Sequence, residues 1–131
     1  MLKFIVEENL ELRLVARKDK DELFSLITEN LNYLQQWLGW AKQDSSEKDT
    51  IDFIERVRTN YINEDELPLI IVENGRIIGT ISLFRIDMVN RSAEIGYWLA
   101  ENTQGKGIIT KCCRAIINYA FAELNLNRIV I

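Results

Sequence analysis

The sequence predicts one α/β domain over residues 1–131, with elements in the order β-α-α-β-β-β-α-β. Three observations carry that prediction. Leu10, Leu12 and Leu14 alternate with Glu11 and Arg13, the period of two expected of a strand with one buried face. Two amphipathic runs follow with apolar residues three and four apart. From Leu67 onward the chain turns β-branched, reading LPLIIVENGRIIGTISLFRID, and continues through a strand, a glycine loop and a long amphipathic run to a last strand.

Taken in order, the first strand is expected over about residues 10–17. The segment Asp19 to Trp40 carries Leu23, Leu26, Ile27, Leu31, Leu34, Trp37 and Leu38 at helical spacing. Asp19 or Asp21 suits its N-cap, and a break falls between Asn30 and Asn32. Asp44-Ser45-Ser46 reads as a loop and cap before a second helix with the apolar face Ile51, Phe53, Ile54, Val57, Tyr61 and Ile62. Asn74-Gly75, between two Ile-rich runs, predicts a hairpin, because both central positions of a type I′ turn need positive φ. A turn at Val89-Asn90-Arg91 leads to a third strand over Ala93 to Ala100. In the next helix Ile109, Cys112, Cys113, Ile116, Ile117, Ala120 and Leu124 form one apolar stripe. Asn127 to Ile131 begins a strand that a helical crossover should lay parallel to its predecessor, in the middle of a sheet. As a last element it would be an apolar edge, so a longer domain or a covering chain is expected.

Composition narrows the chemistry. With 47% apolar residues, three Trp, five Phe, four Tyr and one Pro, the chain can bury an ordinary core. The net charge of −4 repels nucleic-acid phosphate and suits cationic partners, although only weakly. There is no histidine, which excludes a Ser-His-Asp triad, a Cys-His dyad and any His-bearing zinc site within the chain. Cys112 and Cys113 are adjacent rather than spaced as a metal or redox pair, and read as reduced, buried thiols. The N-terminal stretch MLKFIVEENLELRL mixes charges with apolar residues unlike a signal peptide, and no apolar run reaches membrane-spanning length. A cytoplasmic protein without metal, membrane or nucleic-acid partners is the expectation.

The most informative stretch is Gln104-Gly105-Lys106-Gly107, between a strand and a helix start. Unpaired amides and the positive end of the helix dipole converge there, an arrangement that favours a pyrophosphate. The spacing matches neither G-x-G-x-x-G nor the P-loop pattern, since Thr110 stands where the former needs glycine. On glycine content alone, a simple turn remains the more common reading.

The longer stretch YWLAENTQGKGIITKCCRAIINYAF resembles the acetyl-CoA motif of the GNAT superfamily, Gln/Arg-x-x-Gly-x-Gly/Ala at a helix head. Gln104, Gly107 and Ile109 fall on the three pattern positions, and Ile109 departs from Gly/Ala. LNYLQQWLGWA and AEIGYWLAENTQGKGI further resemble the RimL-like branch, which acetylates the N-terminal α-amines of ribosomal proteins. The likeness runs along the whole chain in order, and members of the branch continue through a further helix and two strands. It implies the acyl-CoA N-acyltransferase fold, a mixed central sheet with helices on both faces, and acetyl-CoA as the acetyl donor.

The resemblance also implies roles. The backbone of Gln104, Gly105, Lys106, Gly107, Ile108, Ile109 and Thr110 would hold the pyrophosphate. The strand through Tyr97, Trp98 and Leu99 would pair with the pantetheine amides, the following strand splaying away. An amide near Leu99 would polarise the thioester carbonyl. Lys106, Lys111 and Arg114 either reach the 3′-phosphate or are simply solvated. Attack needs a neutral amine, and a terminal α-amine with a pKa of about 7.7–8.0 provides more of it than lysine near 10.4. Glu101 is the first candidate for the base and Glu94 the second, each otherwise a surface carboxylate. Trp37 and Trp98 read as core, Trp40 as acceptor-cleft wall or homodimer contact. The acceptor is a protein N-terminus or a small amine such as a polyamine or aminoglycoside; a non-catalytic acyl-CoA-binding module is the rival from another class.

Overall fold

The computed structural model describes residues 2–39, 41 and 46–131. Its centre is one sheet of six strands lying side by side in chain order: β1 (Lys3–Glu7), β2 (Leu10–Leu14), β3 (Leu67–Glu73), β4 (Arg76–Asp87), β5 (Ser92–Leu99) and β6 (Arg128–Val130). All neighbours are antiparallel except β5 and β6, which run parallel through the crossover helix α4 (Ile108–Ala122). Helices α1 (Lys20–Glu29), α2 (Leu31–Gln35) and α3 (Glu47–Ile62) fill the connection between β2 and β3.

Helices cover both faces. On one, α4 lays Ile108, Cys112, Ile116 and Ala120 over Leu12, Leu69, Ile71, Ile81 and Leu83. On the other, Leu23 of α1 and Ile54 and Val57 of α3 meet Ile70, Val72 and Ile77. β3 therefore buries consecutive residues, Leu67 through Val72, because alternate side chains enter opposite cores. Each fully buried Leu or Ile contributes about 1.5–3 kcal/mol, which makes β3 the common wall of both cores.

Local chemistry sets the element ends. Strand β2 stops at Leu14, earlier than expected, because Asp19 turns the chain: its carboxylate takes both Arg13 guanidinium nitrogens at 2.8 and 2.9 Å and the Ala16 N–H at 2.8 Å. Asp19 occupies the position before α1 but makes no side-chain cap there. The helix break falls at Asn30. Ser46 caps α3 as a capping box with Asp49, while Asp44, Ser45 and Trp40 lie outside the described residues. Asn74 (φ 52°) and Gly75 (φ 80°) form the hairpin between β3 and β4. The turn after β4 is fixed by Asp87, which accepts from the Val89 and Asn90 amides at 3.0 and 2.9 Å.

Two expectations are corrected. Strand β1 went unread because Ile5, 69% exposed, masks the alternation of half-buried Phe4 and Val6. Trp37, two residues beyond the end of α2, is 70% exposed rather than core. Strand β6 runs parallel to β5 as expected and, as the last element, is the outermost strand among the described residues.

Candidate active site

The site is built around the C-terminal half of β5. Strand β4 pairs with β5 as far as Gly79 opposite Leu99, and the Ala100 N–H continues the ladder to Ile78 O at 2.8 Å. Because strand amides alternate in direction, the N–H groups of Tyr97 and Leu99 point the opposite way. The Leu99 carbonyl agrees, since it accepts from Gln104 Nε2 at 3.0 Å. Among the described residues, β6 covers that edge only at Ser92, Ala93 and Glu94. Two outward N–H donors are thus left along it.

Beyond Leu99 the chain makes a 3₁₀ turn, Glu101–Thr103, held from inside by buried Thr103, whose Oγ1 donates to Ala100 O at 2.8 Å. The Glu101 N–H donates to Asn30 Oδ1 at 3.0 Å, and Asn30 Nδ2 donates to Leu26 O at 2.8 Å. The elbow between α1 and α2 is thereby tied to the start of the loop. Gly105 and Gly107 then adopt left-handed φ of 80° and 72°. An L side chain is strained there, while glycine takes the conformation freely. No side chain caps α4, and among the described residues the amides from Gly105 to Thr110 have no internal acceptor. Gln104 differs: its own N–H is used by Glu101 O at 3.2 Å, so its amide does not join the open set expected for it. Its side chain braces Leu99 instead.

These amides face a small cavity of about 170 Å³ lined by Leu99, Thr103, Gln104, Gly105 and the first residues of α4. The backbone is open, the helix start supplies partial positive charge, and nothing lies within 4 Å of a Cβ built on either glycine, so a pyrophosphate fits. Ile109 lines this cavity and is partly packed against the α4-side core. Lys106 and Arg114 are exposed, and Lys111 is paired with Glu7 at 3.0 Å.

A larger cavity of about 610 Å³ opens on the other face, between β3–β5 and helices α1 and α3; Phe53, Glu66, Ser82, Phe84, Tyr97 and Trp98 are among its walls. Trp98 is half-buried, packing on the α1–α3 core while it lines this space. Gly96 keeps the space open, since a Cβ there would stand 3.0 Å from the Phe84 ring. The two cavities border one strand, at Gly96–Trp98 and at Leu99.

The candidate bases are not brought together. Glu101 is exposed at the strand end, on the loop side. Glu94 lies seven residues back, paired with Arg85 at 3.1 Å and next to β6. Cys112 is fully buried, and burial first, then Cys113 and Glu7, push its thiol pKa up to about 12, which keeps it a neutral thiol at neutral pH. Asn30, Glu66 and Ser82 escaped the sequence reading. Only the helix break at Asn30 was visible, and its contact with Glu101 spans 71 positions.

Residues 9–131 match the acetyltransferase (GNAT) domain, and the chain belongs to the GNAT acetyltransferase family. Its class is therefore the acetyl-CoA-dependent N-acetyltransferases. A ribosomal-protein-serine acetyltransferase of Escherichia coli is 37% identical over 126 residues, covering 96% of this chain and 70% of that protein. RimL, a ribosomal α-N-protein acetyltransferase solved with coenzyme A, superposes with a TM-score of 0.93 at 26% identity, over 98% of this chain and 72% of that one. The microcin C7 self-immunity acetyltransferase MccE, solved with acetyl-CoA and AMP, gives 0.86 at 32% identity, over 92% and 67%.

Proposed function

We propose that this enzyme acetylates the N-terminal α-amine of a ribosomal protein, with the donor on the loop side of β5 and the acceptor in the larger cavity. The observation that carries the reading is the pair of cavities bordering one strand segment, from Gly96 to Leu99. The names of the relatives supply the acceptor class.

In this mechanism the amides from Gly105 to Thr110 bind the donor's pyrophosphate, and the N–H groups of Tyr97 and Leu99 bind its extended amide-bearing arm. The Leu99 N–H also donates to the thioester oxygen as charge builds on it, and one such donor is worth about 10²–10³ in rate. The amine nitrogen attacks the thioester carbon, the C–S bond breaks and CoA leaves as the thiolate. Glu101 takes the proton that the new amide nitrogen sheds, directly or through water. An α-amine is roughly one-tenth neutral at pH 7, so this base needs only modest strength.

The test supplies acetyl-CoA with a peptide bearing a free N-terminal serine, or with spermidine, and follows CoA thiol release. Peptide turnover is expected, and Glu101→Gln should lower kcat by about 10²-fold and remove the acidic limb of the pH profile. Turnover of spermidine alone would refute the acceptor assignment. An unchanged pH profile in the variant would remove Glu101 as the base.

A further inference from the structure

One carboxylate in the larger cavity has a job that the transfer chemistry leaves open. Glu66 immediately precedes β3 and is half-buried on the cavity wall. Oε1 accepts from Asn60 Nδ2 at 3.0 Å, and Oε2 accepts from Ser82 Oγ at 2.9 Å. Both partners are neutral. A carboxylate has about four acceptor positions, so two donors orient it without exhausting or neutralising it.

The other charged groups lining this cavity are Asp49, Asp52 and Arg56. Asp49 caps α3 through Ser46, Asp52 is paired with Lys48 at 2.8 Å, and the Arg56 guanidinium lies over the Phe53 ring at 5.5 Å. Among the described residues, no Lys or Arg forms an ion pair with Glu66. Leu69, Ile70, Phe84 and Trp98 line the same cavity as this carboxylate. Its position is fixed as well. Ser82 sits opposite Gly96, the β5 residue whose missing side chain keeps the cavity open. The oriented negative charge therefore borders the strand segment at which the acceptor is read to react.

We propose that Glu66 is a specificity-determining residue that selects cationic acceptors, pairing with the ammonium group of an incoming amine before that amine loses its proton. This rests on the larger cavity being the acceptor side, and it assigns Glu66 no part in bond making. A charge-assisted contact of this kind gives about tenfold or more in affinity.

The experiment measures binding rather than turnover, so that it stands apart from the transfer assay. A peptide with a free N-terminal serine and the same peptide N-acetylated, which lacks the positive charge, are titrated by calorimetry into wild type and Glu66→Gln with CoA present. Wild type should favour the charged peptide by about tenfold, and the variant by less than about threefold, with its affinity for CoA unchanged. Equal preference in both proteins would overturn the proposal. Should the variant not fold, the wild-type preference is measured from about 50 mM to about 500 mM salt. It must shrink as screening rises, and a constant preference would overturn the proposal. If wild type shows the preference but acetylates neither peptide nor spermidine, the transfer reading fails while this one stands.

Discussion

Replacing Gly79 by alanine tests how tightly β4 and β5 are joined where the site is built. A Cβ at residue 79 would lie well inside van der Waals contact with the Trp98 carbonyl oxygen, 3.0 Å from Leu99 Cα and 3.1 Å from the Trp98 carbonyl carbon. All three are backbone atoms, so no rotamer change relieves the contact. Relief requires the strands to part, which stretches the ladder next to the 2.8 Å bond from Ala100 N–H to Ile78 O. Overpacking costs about 1–3 kcal/mol, and a weakened ladder bond adds about 1 kcal/mol, for a total of about 2–4 kcal/mol. At this chain length each kcal/mol moves Tm by about 4 °C, so a drop of about 8–16 °C is expected in a circular dichroism melt. Gly96→Ala is the control. Its built Cβ meets only the Phe84 side chain, at 3.0 Å to the nearest ring carbon, and the ring can give way. A loss of about 1 kcal/mol and a few degrees is expected there. A Gly79→Ala protein melting within about 2 °C of wild type, or no further down than the control, would refute the close-approach argument.

Three more outcomes follow from particular contacts. Burial alone would raise the Asp19 pKa, but hydrogen bonds from Arg13 and the Ala16 N–H, with the Arg13 charge, outweigh it and hold the carboxyl below its usual range. A depressed folded pKa stabilises above the unfolded value of about 3.9 and is lost as pH falls through the folded one; Asp19→Asn should cost about 3 kcal/mol at pH 7 by urea titration, shrinking under acid. Cys112, with its thiol at about 12, and Cys113, also raised by burial, should resist a disulfide reagent at neutral pH until the protein is unfolded; rapid labelling of native protein would contradict their placement on α4. Asn30→Ala removes the acceptor of the Glu101 N–H and should lower kcat several-fold with little change in the KM for acetyl-CoA, whereas Asn30→Asp, which keeps an acceptor, should recover part of the loss.

The order of elements was legible because burial in this fold is strongly periodic. The α4 stripe and the Asn74-Gly75 hairpin were read where they stand, and so was the strand–loop–helix passage around Gly105 and Gly107. Strand β1 was not, because an exposed Ile5 gives three apolar residues in a row at Phe4, Ile5 and Val6, which erases a period of two. Trp37 misled for the related reason that helical spacing predicts a face without saying what lies opposite it. The loop half of the site is local in sequence and could be found there. The cavity half is not: Glu66, Ser82 and Gly96 meet only through the register of β3, β4 and β5, and Asn30 reaches Glu101 across most of the chain. Loop chemistry at Gln104 was half visible, since its place in the motif showed but its bond to Leu99 did not.

Because both chambers are separated by the thickness of a single extended segment, Gly96 to Leu99, neither can be reshaped from that side alone. A residue enlarged there to refuse one amine would also displace the Tyr97 and Leu99 N–H groups, which the proposed mechanism gives to the acyl carrier. Retuning which amine is accepted therefore has to come from the far walls, on α1, α3 and the start of β3, where a side chain can change without disturbing the carrier. Laboratory libraries aimed at new acceptors should leave the shared segment intact and diversify Ile27, Phe53, Arg56 and Glu66.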